Sequence, residues 1–323
     1  SLALYHAVMA LPHVENVQGF SAEMEKTYVY FANSAGTEGS ASRQNTALFV
    51  DAVAKIGDWT DSGWSFAIGK TLEEVDEHQV AKRAQEKAIQ YYQAGRTQNG
   101  AMPVIFHGQA MVDLLGAFAP IFSAERAQKG MSQLAGKQGQ KIAADCVTIV
   151  DTPDHPQLGP GLPFDGEGVP TGVHTLVDHG VLKTLLYSLS SAKQDGVQST
   201  GHGRRGYSGQ VTIAPHVFTV QPGTQTLAEL CAQAGHGVVI YEVSGLHAGV
   251  NDVSGDFSLL CKGRLIENGA EGRAVEQMVV SGNFFAMLQA ITALGNDTQY
   301  SIPGGSCYAS PSVYVKELAI AGN

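Results

Sequence analysis

The chain has 323 residues, 44% hydrophobic and 15% charged, a balance that builds a packed core and excludes a disordered chain. Its net charge is −10 and its basic residues are scattered apart from Arg204-Arg205, which excludes a nucleic-acid groove as the main use of the surface. Cys146, Cys231, Cys261 and Cys307 stand far apart with no CxxC pair, so reduced thiols in a cytoplasmic protein are expected, not a zinc ribbon or a disulfide framework.

No apolar run is long enough to span a bilayer, so no membrane partner is expected. Ser1 to Leu11 is apolar and lacks a basic leader segment or a clear cleavage site. It reads as a helix entered partway along, as though an upstream portion were missing. Val14 to Phe20 alternates, and Lys26 to Phe31 is β-branched and aromatic, so both read as strands. Asn33-Ser34-Ala35-Gly36 is a turn between strands, and Thr46 to Ala54 is a further strand. The spacing predicts a helix from about Leu72 to Ala94, capped by Thr71 with Glu74 as its capping-box partner and ended by Gly95.

After a linker at 95–100, Pro103 to Phe106 reads as a short strand and Met111 to Phe122 as an apolar helix. Residues 123–141 are polar and glycine-punctuated and suit a mobile or partner-contacting excursion. Strands then dominate: Cys146–Val150, Thr175–Val177 with Val181–Tyr187, Gln210–Ile213, His216–Val220, Gly237–Val243, Phe257–Ile266 and Val313–Ile320. Asp178-His179-Gly180 and Glu267-Asn268-Gly269 are turn signals. Helices are expected at Leu227–Ala234, capped by Thr226, and at Phe284–Ala293. The fold class is α+β, with a smaller, N-terminally shortened leading α/β region over 1–98. A β-rich domain with a few helices follows over 99–323.

The candidate site centres on Pro163 to Tyr207. It opens with Pro163-Phe164-Asp165-Gly166-Glu167-Gly168-Val169-Pro170-Thr171 and closes with Ser199-Thr200-Gly201-His202-Gly203-Arg204-Arg205. Both runs set glycine beside charge, as a sharply bent backbone presenting polar groups requires, and the hairpin-like segment between them can bring the two loops together. Arg204-Arg205 can clamp a carboxylate such as a peptide C-terminus, or bridge to Asp165 or Glu167 within the loops. Cys307 lies in the glycine-rich stretch from Pro303 to Tyr308 and acts as a nucleophile only with a histidine beside it, His202 and His247 being candidates; otherwise it is a passive thiol.

Other constellations carry less chemistry. There is no HExxH or HExxxH, and His107 has no second histidine one turn on. Ser254 lacks the preceding glycine of a nucleophile elbow and reads as part of an Asx-type turn. Gly201-His202-Gly203 is followed by no lysine of a phosphate loop.

Several of these runs together resemble the TldD/PmbA family of metallopeptidase-like proteins, also called modulators of DNA gyrase. The matching residues are Pro163 to Val169 with Thr171, Ser199 to Gly203, Ser254 to Ser258, Leu265 to Gly269, Gly295-Asn296-Asp297 and Ile320-Ala321-Gly322. The resemblance implies two branches that pair. TldD-type chains carry HExxxH on a helix plus a late cysteine, whereas PmbA (TldE)-type chains lack that motif and are the metal-free partner. Here the corresponding helix reads Met111-Val112-Asp113-Leu114-Leu115-Gly116-Ala117-Phe118, which places the chain on the PmbA side, although Cys307 and Arg204-Arg205 echo the other branch.

The resemblance therefore implies a cytoplasmic subunit without metal or other cofactor, inactive alone. It would pair with a TldD-like metallopeptidase subunit or with itself, and its substrate would be peptide or unfolded protein. Asp165, Glu167, His202, Arg204 and Arg205 would line or brace the peptide path. Two alternatives are a stand-alone peptidase using Cys307 with a histidine, and a non-enzymatic homodimeric scaffold or regulator.

Overall fold

A computed structural model describes residues 2–34, 36–206 and 208–322. The chain forms two compact units, one of residues 1–94 with 154–162 and one of 95–153 with 163–323.

The leading unit starts with helix α1 (Leu2–Met9), followed by strands β1 (Val14–Ala32), β2 (Glu38–Ile56) and β3 (Trp59–Gly69), then helix α2 (Glu77–Ile89). The strands form an antiparallel sheet in chain order. Alternation decides its faces: Leu48, Val50 and Ala52 of β2 point inward together and meet Leu4 and Val8 of α1 and Val80, Ala81 and Ala84 of α2. The two strands read as separate runs, Val14–Phe20 and Lys26–Phe31, are one strand; the turn expected after them includes Ala35, which lies outside the described residues.

The helix expected from Leu72 begins later. Leu72–Glu74 is a single 3₁₀ turn in which Thr71 caps nothing, and Val75 is extended. Asp76 is the working N-cap, its carboxylate accepting from His78 and Gln79 N–H at 2.9 and 3.1 Å. Glu74 instead accepts from the Lys70 amide. An aspartate one residue before the helix outcompetes Thr71 because its ionised carboxylate takes two of the free first-turn N–H groups.

The second unit contains β4 (Gly100–Phe106), α3 (Gly108–Phe118), α4 (Ala124–Gln128), β5 (Ile149–Thr152), β6 (His174–Asp178), β7 (Val181–Leu182), α5 (Leu189–Asp195), β8 (Gly203–Arg204), β9 (Thr212–Ile213) and β10 (Val217–Val220). It continues with α6 (Leu227–Ala234), β11 (Gly237–Ser244), α7 (Leu246–Gly249), β12 (Asp256–Glu267), β13 (Ala270–Asn283), α8 (Phe284–Gln289), β14 (Ile291–Leu294), β15 (Gln299–Tyr300), β16 (Cys307–Ser310) and β17 (Val313–Gly322).

One six-stranded sheet runs β13-β12-β11-β4-β17-β14, and β17 also pairs with β13, so five of its strands form a closed ring. The other runs β15-β16-β10-β5-β6-β7. Helix α6 packs Leu230 and Cys231 against Ile105, Val239 and Tyr314 on one face of the first sheet. Helix α3 and the second sheet share the main core with its other face.

The two turn signals hold as two-residue hairpins. His179 and Gly180 lie at φ 45° and 79° between paired Asp178 and Val181, and Asn268 and Gly269 at 52° and 77° between paired Glu267 and Ala270. Both central residues at positive φ are what the I′ turn demands, and Asn or His before Gly supplies it. Thr226 caps α6 in a full capping box with Glu229. The helix expected over Phe284–Ala293 stops at Gln289, and Ile291–Leu294 turns into a strand on β17.

Candidate functional site

The two glycine-rich loops fold onto one another. The Asp165 carboxylate accepts from the Glu167 and Val169 amides at 2.9 Å each with Oδ1, and from the Gly203 amide at 2.7 Å with Oδ2. Backbone bonds join Asp165 N–H to Val169 and Gly166 N–H to Gly203. Glu167 Oε2 accepts from the Leu189 amide, the first of α5, at 2.8 Å, where the helix's free N–H groups and dipole favour a carboxylate. A Cβ on Gly203 would stand 2.4 Å from Glu167 Oε2, and one on Gly201 2.5 Å from the Pro170 carbonyl oxygen. Gly201 also lies at φ 72°, where a side chain is strained in any case.

The loop layer is closed beneath by His202, a sequence candidate, together with Asp151 and His216, which the sequence did not single out. His202 is buried; its Nδ1 lies 2.8 Å from Thr200 Oγ1 and its Nε2 2.7 Å from Asp151 Oδ2. Asp151, on β5, is wholly buried and also accepts the His216 amide on both oxygens, at 2.9 and 3.2 Å. The His216 imidazole returns to the loop, donating from Nε2 to the Gly201 carbonyl at 2.9 Å. His174, on β6, sets its ring edge-on to His202 at 5.3 Å, and the His202 and His216 rings are 4.7 Å apart. Burial, above all, holds both His174 and His216 below the ordinary imidazole value; the neighbouring His202 adds to this and the Asp151 charge opposes it.

Three chain segments thus converge: the end of β5, the turn before β8 and the residue before β10. The register between β5 and β10, with Asp151 opposite Phe218, carries this convergence. The one sequence signal for Asp151 was its place in Ile149-Val150-Asp151-Thr152, on the same side of the strand as buried Ile149. A charge at an inward position requires partners.

The remaining candidates are placed as follows. Arg204 is half-buried; its guanidinium donates to the Pro215 carbonyl at 3.3 Å, and its backbone pairs with Thr212 of β9. Arg205 is exposed, and Tyr207 lies outside the described residues. The two loop carboxylates, Asp165 and Glu167, accept from backbone amides.

Cys307 opens β16, parallel to β10, and its amide donates to the His216 carbonyl at 2.7 Å. Its thiol is buried and sits against Ser301 (3.7–3.8 Å), and burial pushes it up. His247 is exposed on α7. His107 N-caps α3, Nδ1 accepting from the Gln109 amide. Ser254 donates to Asp256 in a turn whose Asn251 side chain accepts from Val253 and Ser254 amides, the Asx arrangement expected there.

Helix α3 buries Met111, Val112, Leu114, Leu115 and Phe118, with Phe118 stacked on Phe284 at 4.2 Å. A tetrahedral or open catalytic zinc needs imidazole, thiolate or carboxylate ligands. On α3 only Asp113 offers one, so this helix does not fit the metal that HExxxH would hold.

Comparison with known proteins agrees with this architecture. Residues 99–322 match the PmbA/TldA metallopeptidase C-terminal domain, and residues 2–91 match the PmbA/TldA metallopeptidase central domain. A Haemophilus influenzae protein named Metalloprotease PmbA homolog is 25% identical over 319 residues, covering 98% of this chain and 67% of the relative. A solved Thermotoga maritima protein named for modulation of DNA gyrase is 34% identical, with a TM-score of 0.90 over 98% of this chain and 72% of its own. TldE from Thermococcus kodakarensis is 26% identical, with a TM-score of 0.85 over 94% of this chain and 69% of its own. With two family domains matched in order along nearly its whole length, the chain belongs to the TldD/PmbA family.

Proposed function

We propose that this chain is a PmbA/TldE-like subunit of a TldD/TldE-type proteolytic complex, acting in the cytoplasm on unfolded peptide. In this reading a TldD-like partner supplies the metal, the activated water and the general base, and this chain shapes the chamber that holds the peptide. The observation that carries the reading is α3: where the other branch places HExxxH, Met111, Leu114, Leu115 and Phe118 are packed into the core. Gly116 of the same helix faces Tyr308 of β16, so the helix end lies beside the strand that starts at Cys307.

Asp165, Glu167 and His202 are spent on holding the loops together and brace the peptide path. Arg204 and the exposed Arg205 meet the peptide, a guanidinium being suited to a terminal carboxylate.

The test is reconstitution. The purified chain alone should cleave no unfolded peptide, and mixing it with a TldD-like chain that carries HExxxH should give a complex with activity above that of either part. Replacing Arg205 with alanine should raise KM more than it lowers kcat. Peptidase activity of the chain alone, abolished by C307A, would overturn the proposal in favour of a stand-alone thiol enzyme.

A further inference from the structure

We propose that Asp151, His202 and His216 form a binding site for a divalent transition-metal ion of the zinc class, separate from α3. Among the described residues these three bring one ligand atom each within 4.8 Å of one another. Ligands bonded at about 2.0–2.1 Å around a tetrahedral zinc stand about 3.3 Å apart, so the widest pair has to close by at most about 1.5 Å and the His202–Asp151 pair, at 2.7 Å, to open slightly. His216 is partly open to solvent, whereas the Asp151 and His202 side chains are fully buried.

The far sides of the two imidazoles already have the partners that metal ligands need. His216 Nε2 faces the Gly201 carbonyl, which can only accept; the ring proton is therefore on Nε2 and the lone pair on Nδ1. His202 Nδ1 faces Thr200 Oγ1, which also receives the Tyr187 amide at 2.7 Å. His202 Nε2 and Asp151 Oδ2, 2.7 Å apart, share a hydrogen bond, and an ion bound here takes the place of that hydrogen while Nδ1 faces the Thr200 hydroxyl. Outer-shell hydroxyl and carbonyl groups fix ligating histidines in this way. The Asp151 carboxylate is itself oriented by the His216 amide.

Two nitrogens and one carboxylate oxygen select zinc, cobalt or nickel over magnesium or calcium. The ion would pin the Thr200–Gly203 turn to β5 and β10, and with it Arg204. The expectation of a metal-free chain came from the resemblance and the missing HExxxH of α3, whereas these ligands come from other elements. The inference stands independently of the proposed partnership: a chain that binds zinc here and still requires a TldD-like subunit satisfies both.

The experiment titrates the full chain, stripped with chelator and returned to metal-free buffer, with Zn²⁺ by calorimetry and with Co²⁺ by visible absorption. D151N and H216Q are titrated in parallel, the fold of each being checked by circular dichroism. One ion per chain is expected, with cobalt d–d bands, and an affinity at least 100-fold lower in either variant. Nitrogen-15 signals of the His202 and His216 rings should shift on addition of Zn²⁺ to the unmutated chain, which keeps the test valid where a variant fails to fold. Absence of binding to the folded chain, equal affinity in folded variants, or binding that leaves both rings unshifted would overturn the proposal.

Discussion

His202 Nε2 and Asp151 Oδ2 lie 2.7 Å apart with both side chains fully withdrawn from solvent. Removing one member of a buried pair leaves the other uncompensated, here the His202 imidazole and the His216 amide, so D151A in the metal-free chain should destabilise it by about 3–5 kcal/mol. D151N, which keeps the shape and one acceptor, should cost less. Urea denaturation measures both; a loss below about 1 kcal/mol for D151A would mean that the pair carries little of the loop's stability.

Gly201 and Gly203 predict an order of effects. A Cβ on Gly201 meets the Pro170 backbone oxygen at a positive φ, whereas one on Gly203 meets the movable end of Glu167. G201A should therefore cost about 2 kcal/mol or more, and G203A less, with Glu167 displaced from the Leu189 amide. Equal effects on Tm would contradict the loop packing described above.

The N-terminus of α2 gives a paired test. D76A should cost about 1 kcal/mol through loss of a cap to His78 and Gln79, and T71A should be close to neutral because Thr71 caps nothing. Thermal melts of the two variants would decide between the observed start and one at Leu72.

His155, His174 and His216 are each held below the ordinary imidazole value, burial being the largest cause. As pH falls, the unfolded chain takes up these protons first, so it binds more protons than the native state. Stability should be fully present above about pH 6.5 and decline below it. In chelator-containing buffer Tm should be level between pH 7 and 8 and lower at pH 5.5; a level Tm down to pH 5.5 would refute this.

Thiol reactivity should follow exposure. Cys146 is exposed, although burial of its sulfur still pushes it up somewhat. Cys231 is pushed up to about 11 and Cys261 to about 12, and burial raises Cys307 as well. Because the thiolate is the reacting form, iodoacetamide at pH 7.5 should label Cys146 well before the others, as peptide mass mapping would show. Rapid labelling of Cys307 in the native chain would point to an activated nucleophile.

What could be read from sequence was local. The Asp178-His179-Gly180 and Glu267-Asn268-Gly269 turns and the Thr226–Glu229 box each depend on residues within four positions, so composition at those positions specifies them. The α+β class followed from the same alternation and turn signals. Strand β13 escaped because Glu271, Arg273, Glu276 and Gln277 mask its alternation, and Gln277 interrupts it with φ 55°. Strand β16 escaped because Gly304-Gly305 just ahead of Cys307 read as a loop, and pairing with β10 and β15 extends that segment.

The loops at 163–171 and 199–205 were legible as glycine-and-charge runs, and their order along the chain identified the family. Which groups face which was not legible. Asp165 and Glu167 bind backbone amides where the two loops approach closely, a pairing no local pattern announces. The meeting of Asp151, His202 and His216 depends on the pairing of β5 with β10 and of His216 with the Gly201 carbonyl, across separations of 51 and 65 residues from Asp151. Local sequence sets turns and caps because those bonds close within a few residues; only the tertiary fold, through strand register, decides which distant buried charges become neighbours.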